Sequence, residues 1–117
     1  MIYRNLYIQY YLYDGDGMDN LDRGKYETMA EIFKAFADPT RLMILKLLSE
    51  NESMCVCKII EELKKPQPTI SHHLNILKKS GLIKARKEGT WNYYYIVDPK
   101  VKTIIDTMDS IVNGNRC

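Results

Sequence analysis

The chain has 117 residues, 45% of them hydrophobic and 27% charged, and a net charge of only +2. That is room for one domain with a single modest core, so any large surface must come from self-association. No run reaches the ~18 apolar residues of a membrane span, the aromatic start is broken by Arg4, Asn5 and Gln9 and has no signal-peptide core, and three cysteines make no secreted disulfide framework.

The expected setting is therefore the cytoplasm, with the cysteines as thiols and no membrane partner. Residues 1–17 hold five of the nine tyrosines and close on Asp14-Gly15-Asp16-Gly17, a turn signal. They read as an accessory extension ahead of a domain spanning 18–113, with 114–117 as a tail; the alternative is an aromatic arm packed on a dimer. From Leu21 to Ala37, the positions Tyr26, Met29, Ala30, Phe33, Phe36 and Ala37 keep helical period. Asp38 can cap and Pro39 can open the next helix, Thr40 to Ser49. Its apolar residues surround nearly the whole circumference, so it is expected to be the buried centre, with Arg41 a paired or exposed charge. After the loop Asn51-Glu52-Ser53, the positions Val56, Ile59, Ile60 and Leu63 define a third helix, and Lys64-Lys65-Pro66-Gln67 a turn.

The stretch from Pro66 to Gly81 organises the rest. Pro68 suits the first turn of a helix and Gly81 the position just past its end, which bounds three to four turns. Ile70, Leu74 and Leu77 share one face; Pro68, Ser71, His72, Asn75 and Lys79 gather on the other. Small polar groups can approach base edges in a major groove, and the ammonium groups of Lys78 and Lys79 suit phosphates. A merely solvated face is the plainer reading of this helix alone. The segment beyond Gly81 favours DNA: Leu82 to Lys87 and Trp91 to Val97 are strand-like runs joined by Glu88-Gly89-Thr90, a hairpin, and its first strand carries Arg86 and Lys87. From Lys58 to Lys87 there are eight basic residues against two acidic ones, a local electrostatic footprint on a near-neutral chain. Asp98-Pro99 then opens a last helix with an apolar stripe, Val101, Ile104, Ile105, Met108, Ile111 and Val112. Lying beyond a complete small core, that stripe is read as a dimerisation surface. The expected architecture is mainly α with a small β-hairpin: a winged helix-turn-helix, homodimeric through its first and last helices.

Three stretches resemble the ArsR-type metal-responsive repressors: Phe36 to Leu45, Gln67 to Leu74 with Leu77 and Ser80-Gly81-Leu82, and Glu88-Gly89-Thr90-Trp91 with Tyr93-Tyr94-Tyr95. The resemblance covers roughly residues 26–112. It implies a homodimer that binds double-stranded DNA at an inverted-repeat operator and leaves when an inducer binds, with Gln67, Thr69, Ser71 and His72 facing bases or nearby phosphates. Pro66 departs from the family, which commonly has a serine there to cap the helix and touch phosphate. His73, beside the apolar face, is expected to be a packed, hydrogen-bonded histidine rather than a ligand.

Met54-Cys55-Val56-Cys57 resembles the Cys-Val-Cys of the arsenic- and cadmium-sensing branches. Soft thiolates select thiophilic ions, and thiols at a helix N-terminus ionise readily. In a regular helix Cys55 and Cys57 would lie about 200° apart, so a shared ion requires Cys55 to sit in the turn before the helix. Where one branch has a third cysteine this chain has Ile60, and residues 1–17 hold none, which leaves Cys117 as the third thiol. The implied inducer is As(III), Sb(III), Cd(II) or Zn(II), with no obligatory cofactor. Small core cysteines and a thiol redox or sulfur switch stay open beside it, as does, from another class, a winged-helix protein-interaction module. An enzyme is not expected: there is no nucleophile, base and orienter set and no phosphate-cradling glycine loop.

Overall fold

The computed structural model of the protein describes residues 22–114; the expectations for residues 1–17 and for Cys117 lie outside them. The chain divides into two compact units with the boundary after Glu31, inside the first described helix. That helix, α1 (Arg23–Phe36), begins where the Asp22 carboxylate accepts the Lys25 N–H. It stops ahead of Asp38, whose extended backbone and carboxylate, accepting from the N–H groups of Thr40 and Arg41, open α2 (Pro39–Ser49) as the Asp-Pro pair demands.

The remaining elements complete the helical frame and the sheet: β1 (Met54–Cys55), α3 (Val56–Leu63), α4 (Gln67–Lys79), then β2 (Ile83–Glu88) and β3 (Trp91–Ile96), and finally α5 (Pro99–Gly114). The core runs through their middle. Ile44, Leu45 and Leu48 of α2 meet Ile59 of α3, Ile70, Leu74 and Leu77 of α4, Ile83 of β2, and Val101 and Ile105 of α5. The all-round apolar character of α2 does not mean all-round burial, because Met43 is 41% exposed. Among the described residues no further layer covers that side. A groove of about 340 Å³ opens there, lined by Leu42, Met43, Ile105, Met108 and Val112. Lys46 spans from α2 to Asp106 (3.6 Å) and Asp109 (3.8 Å) of α5.

The hairpin gains a strand that no sequence pattern announces. The sheet order is β1-β3-β2, all antiparallel, with Met54 opposite Tyr94 and Cys55 opposite Tyr93. Two residues are too few to show a period of two, and the strand exists only because β3 lies beside it. On the sheet face turned to the core are Met54, Ile83, Tyr94 and Ile96; the opposite face carries the cross-strand pairs Lys84 with Tyr95, Arg86 with Tyr93 and Glu88 with Trp91. Along α5 the apolar stripe splits. Val101 and Ile105 are buried, whereas Ile104, Ile111 and Val112 are exposed. No helix among the described residues is long and apolar enough to cross a membrane.

Left-handed backbone ends each of the two helices of the helix-turn-helix. Gly81 (φ 84) follows α4, and the N–H groups of Leu82 and Gly81 return to the carbonyls of Leu77 and Lys78, the double closure that ends a helix after a glycine. Lys64 (φ 54) performs the same service for α3 with a side chain that disfavours it. Urea unfolding should show Lys64→Gly gaining up to about 1 kcal/mol, relief of the left-handed strain being offset by a freer unfolded chain. Gly81→Ala should lose about 1 kcal/mol although a methyl group meets nothing there.

Candidate nucleic-acid interface and thiol pair

Burial of Ile70, Leu74 and Leu77 turns the remaining faces of α4 outward. Gln67, His72, Asn75, Lys78 and Lys79 are exposed, and Thr69 and Ser71 are half-buried at the flank. Pro66 occupies the cap position with no side-chain hydrogen bond to the first turn, so the departure from serine at this position leaves that turn uncapped. The exposed strip is polar along its N-terminal half and cationic at its end, which suits base edges and phosphates respectively.

His73 faces inward instead. Nη1 of Arg41 approaches its Nδ1 at 3.1 Å, and because a guanidinium only donates, Nδ1 accepts and the ring proton sits on Nε2. The same guanidinium donates from Nε to the Ala35 carbonyl (2.7 Å) and from Nη2 to the Lys34 carbonyl (3.2 Å), closing the C-terminal end of α1. Arg41 thus ties the end of α1 to α4. Burial pushes the His73 imidazole below its ordinary value of 6.5; the Asp38 carboxylate 3.8 Å away opposes this, and Arg41, His72 and Lys65 add to it. The His73–Asp38 approach is consequently a neutral contact at neutral pH, not an ion pair. Burial acts to raise Asp38, but the N–H groups of Arg41 and Thr40 with the nearby His73 and Arg41 outweigh it, and the carboxyl titrates below 3.8.

The basic residues sort into two sets. Lys46, Lys58, Arg86, Lys100 and Lys102 are in ion pairs. Lys64, Lys65, Lys78, Lys79, Lys84 and Lys87, on the turn, α4 and the wing, have no acidic partner among the described residues. Arg86, one of the two basic residues singled out on the first strand of the wing, is engaged within the wing itself. Its Nε donates to Glu88 at 2.7 Å and its guanidinium lies over the Tyr95 ring. The cations of the wing that remain unpaired are Lys87 and Lys84. Lys84 counts only as one basic residue among eight in the sequence reading; Glu88, two residues from Arg86 and so on its side of the strand, is the sequence signal for the Arg86 pairing.

The thiols meet at the seam of sheet and helix. Cys55 ends β1 with extended backbone (φ −72, ψ 152) and is the cap residue of α3; Cys57 is the second residue of that helix. This is the placement before the helix that the spacing required, and the two sulfurs are paired as a disulfide with the Cα atoms 5.3 Å apart. Cys55 is buried and Cys57 exposed. Among the described residues no third histidine, cysteine or carboxylate joins them.

A helix-turn-helix whose second helix projects a polar, cationic face beside a basic β-hairpin defines a winged helix-turn-helix DNA-binding protein. Comparison with known proteins narrows the class. Residues 38–85 match the model of the bacterial regulatory proteins of the arsR family. The chain is 79% identical over 87 residues to an uncharacterized HTH-type transcriptional regulator of Methanocaldococcus jannaschii, covering 74% of this chain and 98% of that one. It is 36% identical over 93 residues to the arsenical resistance operon repressor of Staphylococcus aureus, covering 79% and 88%. The homodimeric winged helix-turn-helix DNA-binding domain Mb0332 of Mycobacterium bovis superposes with a TM-score of 0.73 at 30% identity, covering 84% and 93%. The chain belongs to the arsR family of transcriptional regulators, DNA-binding proteins and not enzymes.

This geometry has consequences for stability and for DNA affinity. Folded His73 binds its proton less tightly than unfolded His73, so its contribution to stability is complete above pH 6.5 and is lost as pH falls below that value toward the folded pKa. Asp38 adds a second loss below pH 3.8. His73→Asn should flatten the first loss in urea titrations between pH 7.5 and 5. Separately, Lys79→Ala should reduce the slope of log affinity for duplex DNA against log salt by about 0.9, one phosphate contact's worth.

Proposed function

We propose that the protein is a cytoplasmic, homodimeric repressor that occupies an inverted-repeat operator through Gln67, Thr69, Ser71, His72 and Asn75, with Lys78, Lys79, Arg86 and Lys87 at phosphates, and leaves when a thiophilic ion binds Cys55 and Cys57. The observation that carries the reading is the placement of two cysteine sulfurs side by side where β1 of the wing sheet runs into the first helix of the helix-turn-helix. The S. aureus relative, an arsenical resistance repressor, supports the ion class. The exposed Ile104, Ile111 and Val112 of α5 support a two-fold partner, as does the homodimeric M. bovis domain.

The donor set fits the ion in part. Reduced Cys55 and Cys57 supply two soft ligands from one short segment; Cys117, of this chain or its partner, would be the third. An ion drawing the thiolates together acts on both elements to which they belong, the N-terminus of α3 and the strand paired with β3. A coupling of about 1–3 kcal/mol between ion and DNA gives ~5–150-fold release.

Replacing both cysteines, Cys55→Ser with Cys57→Ser, should leave operator affinity intact and abolish release by As(III), Sb(III) or Cd(II). Undiminished release by the double variant would reject ion sensing at this pair. The disulfide pairing favours a second reading, in which oxidation and not an ion is sensed; release of DNA by an oxidant in metal-free buffer, reversed by a dithiol reductant, would select it.

A further inference from the structure

Apolar packing decides which face of a helix turns inward but, because burial of area is not directional, it tolerates small rotations about that setting. The rib Ile70, Leu74 and Leu77 seats α4 in this way, and base readout demands more. Hydrogen bonds impose direction, and among the described residues α4 makes one side-chain hydrogen bond to another helix: His73 Nδ1 to Arg41 Nη1 at 3.1 Å. The donor end is itself fixed, since Arg41 is held by two carbonyls at the end of α1 and its backbone N–H is capped by Asp38. Ser71 and His72 immediately precede His73 on the helix, so any rotation about this latch moves them directly.

We propose that Arg41 and His73 are positioning residues for operator recognition: the neutral imidazole of His73, accepting from Arg41, sets the angle at which α4 presents Ser71, His72 and Asn75 to the bases, and protonating that imidazole opens the latch. The inference rests on α4 being the recognition helix and is independent of ion sensing. A protonated ring has no acceptor to offer Arg41 and faces it as a like charge. The groups around it are Asp38, which caps α2, Arg41 of α2, His72 of α4 itself and Lys65 of the turn. Asp38 alone favours the charged ring, at 3.8 Å; burial, Arg41, His72 and Lys65 disfavour it. Opening the latch costs specificity while leaving the lysines that hold phosphate in place.

The test uses the full chain, a duplex that the protein selects from a random pool, and a scrambled duplex of the same length, with affinities read by fluorescence anisotropy. His73→Leu removes the acceptor at similar volume; His73→Asn keeps an acceptor near Nδ1 and does not titrate. At pH 7.5 the leucine variant should lose about tenfold in affinity for the selected duplex, with affinity for the scrambled duplex within about threefold, and the asparagine variant should keep most of the selected affinity. Between pH 7.5 and 5.5 the ratio of selected to scrambled affinity should fall more steeply for the parent than for His73→Asn, both of which keep His72. Equal ratios for the leucine variant and the parent at pH 7.5, or superimposed pH profiles for the parent and the asparagine variant, would overturn the proposal. Should the leucine variant fail to fold, the pH comparison decides by itself. A parent that does not distinguish selected from scrambled duplex at any pH would remove the recognition-helix reading instead, and the positioning role with it.

Discussion

The burial of three side chains on α4 is the constraint that creates the interface. Ile70, Leu74 and Leu77 have essentially no exposure, each contributing on the order of 2 kcal/mol to folding, and they can reach the core from one side of the helix only. Every polar residue of α4 is distributed by that choice. Exposed Gln67, His72 and Asn75 are as much a result of packing as of recognition, which is why the helix can offer a polar face without weakening the fold.

Electrostatics then separates a surface from a scaffold. The chain is close to neutral, yet its acidic residues are distributed unevenly: Glu61, Glu88, Asp98, Asp106 and Asp109 neutralise lysines and an arginine away from α4, while the turn, the end of α4 and the wing retain unpaired ammonium groups. Exposed pairs of this kind add little stability. Their consequence is spatial: a field that is positive where a phosphate backbone would run and muted elsewhere.

The third strand gives the thiol segment its position. Cys55 is at once the last residue of β1, the partner of Tyr93 in the wing sheet and the residue that caps α3. A change in the geometry of Cys55 and Cys57 is therefore felt by two elements flanking α4, with the wing reached through backbone pairing and not through a chain of flexible side chains. Arg41 plays a comparable role on the other side, joining the end of α1 to α4 through carbonyls and an imidazole.

What the amino-acid order determined alone is whatever short-range chemistry dictates. Asp38-Pro39 opens α2, Pro68 and Gly81 bound α4, and Gly89 turns the hairpin, because each acts on backbone within four residues of itself. The need for Cys55 to precede its helix was legible for the same reason, as a matter of angles between neighbours. Tertiary structure decided the rest. β1 is two residues long and is a strand only beside β3; Arg41 and His73 are 32 positions apart; Met43 is apolar but covered by no described element; and the Arg86 guanidinium lies over Tyr95 of the neighbouring strand. These depend on which surfaces meet when the core closes, and a pattern of residues along one element carries no record of the element it will face.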